Sequence, residues 1–567
     1  MINEEKGMPF SYENMQQLVE ACEQFCRNLE RKEDASKRRI QLSALAKKFH
    51  EDGGTLSSDI DEAIGQVRDS SCILLMTAHQ PNFFAYSGVL RKATLNYVLS
   101  DKLSERLNMP VVGFFGLADQ DLTDDRWVKS SLLPDVERRN GLYELRAQLP
   151  QKMMLNKVRK PSKEALERWR EDIENWLHRK THRIKKFCRE FKIEIDLKAS
   201  NLLDNLGTLW RIVEEAYEKA ENYSDFNAFI MSKIINETWG YNTLFCRFSE
   251  CEQVFENEFS FLIRNFPEYS SHVKEATRIG GENAKGGVFE KEYQTIPFWY
   301  HCDCGSKVRL LADSEPDSLV GRGECLNCEK KYEIKLLSRG QPEISRILAR
   351  ISARSLSMPL LFFSGLNVSA YVGGIGGVKY LKQAKYVAEK MGIHFPPIVV
   401  WRPQDIYPGL GQFEATLTFR KISGTFDSSQ YLASLARLRE RISTIKNEIE
   451  KLELEKTALT RSASVAKKEI EKIKGVSARQ DEIRRETDFS LLARDLRLLR
   501  NVESVIRLHP SIIDYAVNIG LRNVSEQWKT FLNRNGALAS DIYLDTDAYE
   551  NFSSIQREFK EFYENFQ

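Results

Sequence analysis

Short apolar runs of strand length, each breaking into a polar or glycine-rich turn and then a helix, constrain this 567-residue chain more than any other feature. In the first, 71–76 is the apolar run, Thr77-Ala78-His79-Gln80-Pro81-Asn82 is the turn, and 88–103 reads as an amphipathic helix. Where such a turn opens a helix, unpaired N–H groups and the positive helix end favour an anion, so a phosphate-bearing ligand fits. His79 and Asn82 would add side-chain hydrogen bonds, although the same six residues also make an ordinary loop. The second run, 110–117, ends at Asp119 and Asp121. Two carboxylates at i and i+2 past a buried strand suit the carboxyl edge of a parallel sheet, where ligands bind in open α/β folds. They also suit helix capping before Asp124-Asp125. Runs 358–363 and 368–372 read as buried strands, the latter entering Gly373-Gly374-Ile375-Gly376-Gly377-Val378-Lys379 and a helix over 381–391. A last strand, 398–401, turns at Arg402. Strands alternating with helices on both sides of a long helical stretch predict an α/β fold, a doubly wound parallel sheet split by an insertion.

A chain this long implies three or more structural units. Lys and Arg number 83 against 81 Asp and Glu, a net charge of +2, which excludes a generally basic nucleic-acid coat but leaves room for a local basic face. The first residues carry no apolar signal-peptide core, and no run of about eighteen apolar residues occurs, so a soluble cytoplasmic protein without membrane contact is expected.

Six of the ten cysteines are scattered, as suits reduced, partly buried thiols. The other four form Cys302-x-Cys304, twenty residues, then Cys325-x-x-Cys328. Two close pairs on turns can present four thiolates tetrahedrally to one zinc ion, and short strands over 296–300, 308–311 and 332–337 predict a zinc ribbon. Because four thiolates leave no open position, the zinc is expected to be structural, with His301 a bystander.

Along the chain the expected units are N-terminal helices over 1–70, half of a Rossmann-like core over 71–160, and a helical insertion over 161–295. The ribbon over 296–338, the second half-core over 339–428, a coiled-coil hairpin over 429–512 and terminal helices over 513–567 follow. Residues 342–354 read as a helix. The basic run 178–186 reads as a solvated helix face, and 278–287 as a polar loop. Met231-Ser232-Lys233 looks like a fragment of the lysine loop of class I aminoacyl-tRNA synthetases, but it lies inside a helical pattern over 226–239. Leu435, Leu438, Ile442, Ile445, Ile449, Leu452 and Leu459 keep the three-four spacing of a coiled-coil seam, broken at Lys456, with a return arm over 465–473 and then 489–508.

Together these residues resemble the bacillithiol synthase family, the cysteine-adding ligases of bacillithiol biosynthesis. Thr77-Ala78-His79-Gln80 through Gly88 and Lys92 sits where that family has a Gln-rich turn and helix, and 110–121 is similar to its strand ending in Asp-His-Asp. Tyr371-Val372-Gly373-Gly374 matches its Gly-Gly-Pro-Gly turn, and 392–398 its Gly-Ile-x-x-Pro-Pro strand entry. The likeness covers about 70–300 and 340–520, discontinuously. It implies a core related to class I aminoacyl-tRNA synthetases and a C-terminal coiled coil that forms a homodimer. It also implies ATP-dependent joining of an amino acid, cysteine above all, to a small-molecule amine. Carried over, His79, Asp119 and Asp121 would be catalytic, the aspartates holding an amine or accepting its proton. Thr77, Gln80, Asn82, Gly373, Gly374, Gly376, Lys379 and Arg402 would bind substrate or nucleotide. His79 replaces a family Gln, Gln120 replaces the His between the aspartates, and Ile375 replaces a Pro, which leaves the acceptor amine open. A different reading is a non-catalytic protein whose ribbon and coiled coil grip RNA or a protein partner.

Overall fold

The computed structural model describes residues 14–29, 33–195, 197–279, 292–374, 377–401, 409–462, 467–486, 489–506, 508 and 510–535. Its strands, in chain order, begin with β1 (Ile73–His79), β2 (Val111–Leu117), the hairpin β3 (Ser130–Pro134) and β4 (Leu142–Arg146), and β5 (Leu244–Arg247). Next come β6 (Thr295–His301), β7 (Lys307–Glu315), β8 (Ser318–Glu324), β9 (Lys331–Ser338), β10 (Gln341–Pro342) and β11 (Ile351–Ala353). The last two are β12 (Ala370–Gly373) and β13 (Ile398–Val400).

Five of these strands make one parallel sheet in the order β13-β12-β1-β2-β5. The apolar runs bury β2 and β12 along their whole length and β1 up to His79, as a sheet covered on both faces requires. From β1 the chain moves one way, to β2 and β5, and then returns to the other side of β1 for β12 and β13. That reversal opens a crevice beyond the carboxyl ends of β1 and β12.

β5 lies inside the stretch expected to be mostly helical. A four-residue strand between helices is too short for periodicity to reveal. Residues 358–363, expected as a strand, belong to helix Ser357–Leu366. This segment is buried on nearly every side, so its apolar run carries no period, and Pro359 is tolerated in its first turn. The helix expected over 342–354 is also absent, because β11 instead pairs antiparallel with the edge of β6. Tertiary pairing overrides local propensity there. Helix Ser87–Leu107 is less amphipathic than its sequence suggests: Val89 to Asn96 are all buried, since helices Met15–Arg27 and Leu521–Asn535 also pack on it.

A second, antiparallel sheet has the order β10-β9-β8-β7-β6-β11. It carries the cysteine turns and shares an apolar core with β1, β2 and helix Ser357–Leu366. Helix Tyr431–Ser462 packs on helices Lys467–Glu486 and Phe489–Ile506. Leu435, Leu438, Ile442 and Ile445 meet Ile483, Leu492, Leu499 and Val502 in their shared core, whereas Leu454, further out, is exposed. Lys180, buried in helix Lys163–Phe191, lies 2.6 Å from Asp135 and 2.6 Å from Glu414 of helix Leu410–Ser423, tying the insertion to the later half of the chain. Among the described residues no helix is long and apolar enough to cross a membrane.

Candidate functional site

A cavity of ≈ 590 Å³ opens where the sheet order reverses. Its floor comes from the strand ends: Ala78 and His79 at the end of β1 with Gln80 after it, Ala118, Gln120 and Asp121 after β2, and Gly373 and Gly374 at β12. The antiparallel sheet supplies a wall through Trp299, Lys307, Ser352 and Arg354.

The sequence-predicted residues divide into three groups. His79, Gln80, Asp121, Gly373 and Gly374 line the cavity. Gln80 Nε2 donates to Asp121 Oδ2 at 2.8 Å, and Lys307 Nζ stands 3.6 Å from Asp121 Oδ1. Burial, reinforced by Lys92, holds the His79 imidazole down at about 3, so it is neutral at physiological pH. Its Nδ1 is 3.1 Å from the Gln80 carbonyl oxygen.

Thr77, Asn82 and Asp119 are buried but do not face the cavity. Thr77 Oγ1 donates to Val372 O at 2.7 Å and fastens β1 to β12. Asp119 accepts from Ser249 N at 2.9 Å, from the Ser249 hydroxyl, and from Asn156 Nδ2 at 3.3 Å. Burial nevertheless lifts its carboxyl to about 6, against those hydrogen bonds. It joins the end of β2 to the turn after β5. Gly376 and Arg402 lie outside the described residues, as does the side chain of Lys379 in helix Val378–Lys390.

Several lining residues carry no sequence signal of their own. Glu252, just past β5, accepts from Ala353 N at 3.1 Å and from Gln120 Nε2 at 3.4 Å. Burial raises its carboxyl to about 8, partly offset by Lys307. Lys92, in the helix after β1, donates to Ala78 O at 2.9 Å, and burial lowers its ammonium to about 7. Arg354 stacks over the Trp299 ring at 4.0 Å. Arg91 lies 5.2 Å over Trp401 and donates to the Tyr515 hydroxyl at 3.0 Å. Burial keeps Tyr371 and Tyr380 as neutral phenols, Tyr380 at about 12. A cavity with both signs of charge, the Asp121 carboxylate, a Glu252 carboxyl that burial keeps protonated at neutral pH and a neutral imidazole can hold a polar substrate and accept a proton from it.

The four grouped cysteines form a second centre. Their sulphurs lie within 4.8 Å of one another, with Cys302 Sγ 3.4 Å from Cys328 Sγ and Cys304 Sγ 3.6 Å from Cys325 Sγ. These separations exceed the ~2.05 Å of a disulfide and approach the edge of a tetrahedron built on ~2.3 Å metal–sulphur bonds. Tyr332 donates its hydroxyl to Cys302 Sγ at 3.1 Å and Asn327 its amide to Cys304 Sγ at 3.7 Å, both contacts that favour thiolate. The group can therefore hold a metal ion. Its first turn docks on the core through Met154 N, which donates to Gly305 O at 2.8 Å. The neighbouring backbone bonds, Leu155 N to Asp121 O and Asn156 N to Asp119 O, both 2.9 Å, continue that contact to the cavity floor.

No family model matches the chain, and no curated protein is similar to it in sequence.

Proposed function

We propose that the protein is an ATP-dependent carbon–nitrogen ligase that joins an amino acid, cysteine first among the candidates, to the amine of a small molecule. The observation that carries this reading is the position of the cavity, at the carboxyl ends of β1 and β12 where the strand order reverses. Its size suits a nucleotide or two small substrates, and its charges suit partners that bring both carboxylate and ammonium groups. ATP supplies the activation of the donor carboxyl. In the joining step the acceptor amine attacks the activated carboxyl carbon, the C–N bond forms, the leaving group departs with its bonding pair, and the amine proton passes to a carboxylate. In this reading Asp121, which lines the cavity and is held by Gln80 and Lys307, is that base.

In the same reading the core is related to class I aminoacyl-tRNA synthetases. The cysteine centre is a structural zinc ribbon whose four thiolates leave no position for substrate. The helices of 431–506 are a coiled coil through which two copies pair.

Nucleotide turnover by the purified zinc-loaded protein tests the proposal, with ATP, each amino acid in turn, and glucosaminyl malate or a small-molecule extract as acceptor. Turnover requiring both an amino acid and an amine is the expected result, with ADP or AMP identifying the activated species. An Asp121→Asn variant should lose most of it. No turnover in any mixture, with RNA co-purifying and released by salt, overturns the ligase reading in favour of a binding protein.

A further inference from the structure

Four lysines are buried among the described residues: Lys92, Lys180, Lys233 and Lys307. Three face carboxylates. Lys180 lies 2.6 Å from Glu414, Lys233 2.9 Å from Glu215, and Lys307 3.6 Å from Asp121. Among the described residues Lys92 has no carboxylate partner, and its one hydrogen bond there goes to Ala78 O. Two of its three N–H bonds are left without a described acceptor, and the side chain lines the cavity. A buried ammonium is ordinarily paired because its desolvation is costly, so a lone one beside a cavity marks the place of an anion brought by a ligand.

Two further observations fall at the same spot. Trp401, only 6% exposed and also on the cavity wall, has an indole Nε1 with no acceptor among the described residues. At the end of β12, Gly374 leaves the backbone bare: a Cβ there would stand 4.0 Å from Lys92 Nζ. Three titratable groups that line the cavity with Lys92 do not neutralise it, since His79 is uncharged and Tyr371 and Tyr380 remain phenols. The acids Asp121 and Glu252 follow β2 and β5, on the other side of β1 from β12 and β13, which Gly374 and Trp401 follow.

We propose that Lys92, the Trp401 indole N–H and the open backbone at Gly373 and Gly374 form an oxyanion subsite that takes a phosphate or carboxylate group of the substrate. This deepens the ligase reading and rests on it for the ligand's source, a nucleotide phosphate or the carboxylate of the donor amino acid. An anion held over β12 and β13 leaves Asp121 and Glu252 to face the ammonium end.

Calorimetric titration of the full-length, metal-loaded protein with pyrophosphate and, separately, with L-cysteine tests this. At least one probe should bind, and Lys92→Met should weaken that probe by about tenfold or more, the loss expected for a charge-assisted contact. A loss confined to pyrophosphate assigns the subsite to phosphate, and a loss confined to cysteine assigns it to carboxylate. Trp401→Phe, which keeps the ring and removes the donor, should weaken the same probe and decides the matter if Lys92→Met does not fold. Equal binding by parent and variants, or no binding of either probe by the parent, overturns the proposal. Because binding is read without turnover, the subsite and the ligase activity can fail separately.

Discussion

A buried cation without a counter-ion among the described residues should weaken the fold that holds it, and Lys92→Met measures by how much. Burial lowers the Lys92 ammonium from 10.5 to about 7, whereas in the unfolded chain it keeps the ordinary value. Between those two values the unfolded state binds more protons than the native one, so stability rises with pH across that window. Below about pH 7 both states are protonated and the penalty is complete; above 10.5 both are neutral and it vanishes. At about 1.4 kcal/mol per pH unit the interval corresponds to an upper bound of about 5 kcal/mol. Water in the cavity raises the effective dielectric, so about 2–4 kcal/mol is the expected effect. Methionine fills similar space without charge. Thermal unfolding of parent and variant at pH 6.5, 8.5 and 10.5 should show the variant more stable at the lowest pH, with the difference closing at the highest. Pyrophosphate or cysteine, whichever binds, should stabilise the parent more than the variant by mass action. A variant no more stable than the parent at pH 6.5, or a difference independent of pH, would refute the lone-cation argument.

Removing the metal by chelation, or replacing Cys325 by Ser, should speed amide exchange in β6 to β9 while β1 and β2 stay protected. It should also abolish ligand binding in the cavity, because the first cysteine turn docks beside Asp121 and Lys307 lines the site; equal loss of protection in both sheets would contradict this. Lys180→Met removes the buried cation shared by Asp135 and Glu414, leaving them only the more exposed Arg138 and Arg183, and should cost about 3–5 kcal/mol by urea unfolding, with Lys180→Met/Glu414→Gln costing less. Gly116→Ala would place a Cβ 2.1 Å from the Phe248 ring, which lines the cavity. It should lower stability by about 1–3 kcal/mol in a thermal melt and weaken ligand binding in the same titration.

The parallel sheet was legible because its strands are buried apolar runs that end abruptly in polar turns, as 71–76 and 110–117 do. The cysteine pairs were legible because metal geometry imposes spacing on sequence. Strand β5 was not, since four residues between helices carry no period, and helix Ser357–Leu366 was misread because burial on nearly all sides removes the alternation that separates helix from strand. Half of the site shared that fate. Gln80 and Asp121 stand at the ends of readable strands. Glu252, Lys307 and Arg354 reach the cavity only through β5 and the antiparallel sheet, contacts between distant segments that no local pattern records. Asp119 shows the converse, because its place two residues before Asp121 is readable while its turn toward Ser249 is not.

The hydrogen bond from Thr77 to Val372 joins residues 295 positions apart, and it ties together the two strands on which the crevice depends. A ribosome that has made β1 must therefore still make the helical insertion, the cysteine turns and helix Ser357–Leu366 before β1 can meet β12. Until then one edge of a strongly apolar strand has no partner, a state that invites aggregation and slows productive closure. The cysteine turns are made in that interval, and the first of them, which bonds Met154 beside the Leu155–Asp121 contact, would be free to dock before β12 exists. If the four cysteines hold a metal ion, its supply during synthesis would thus bear on the yield of folded chains as well as on the stability of the finished protein.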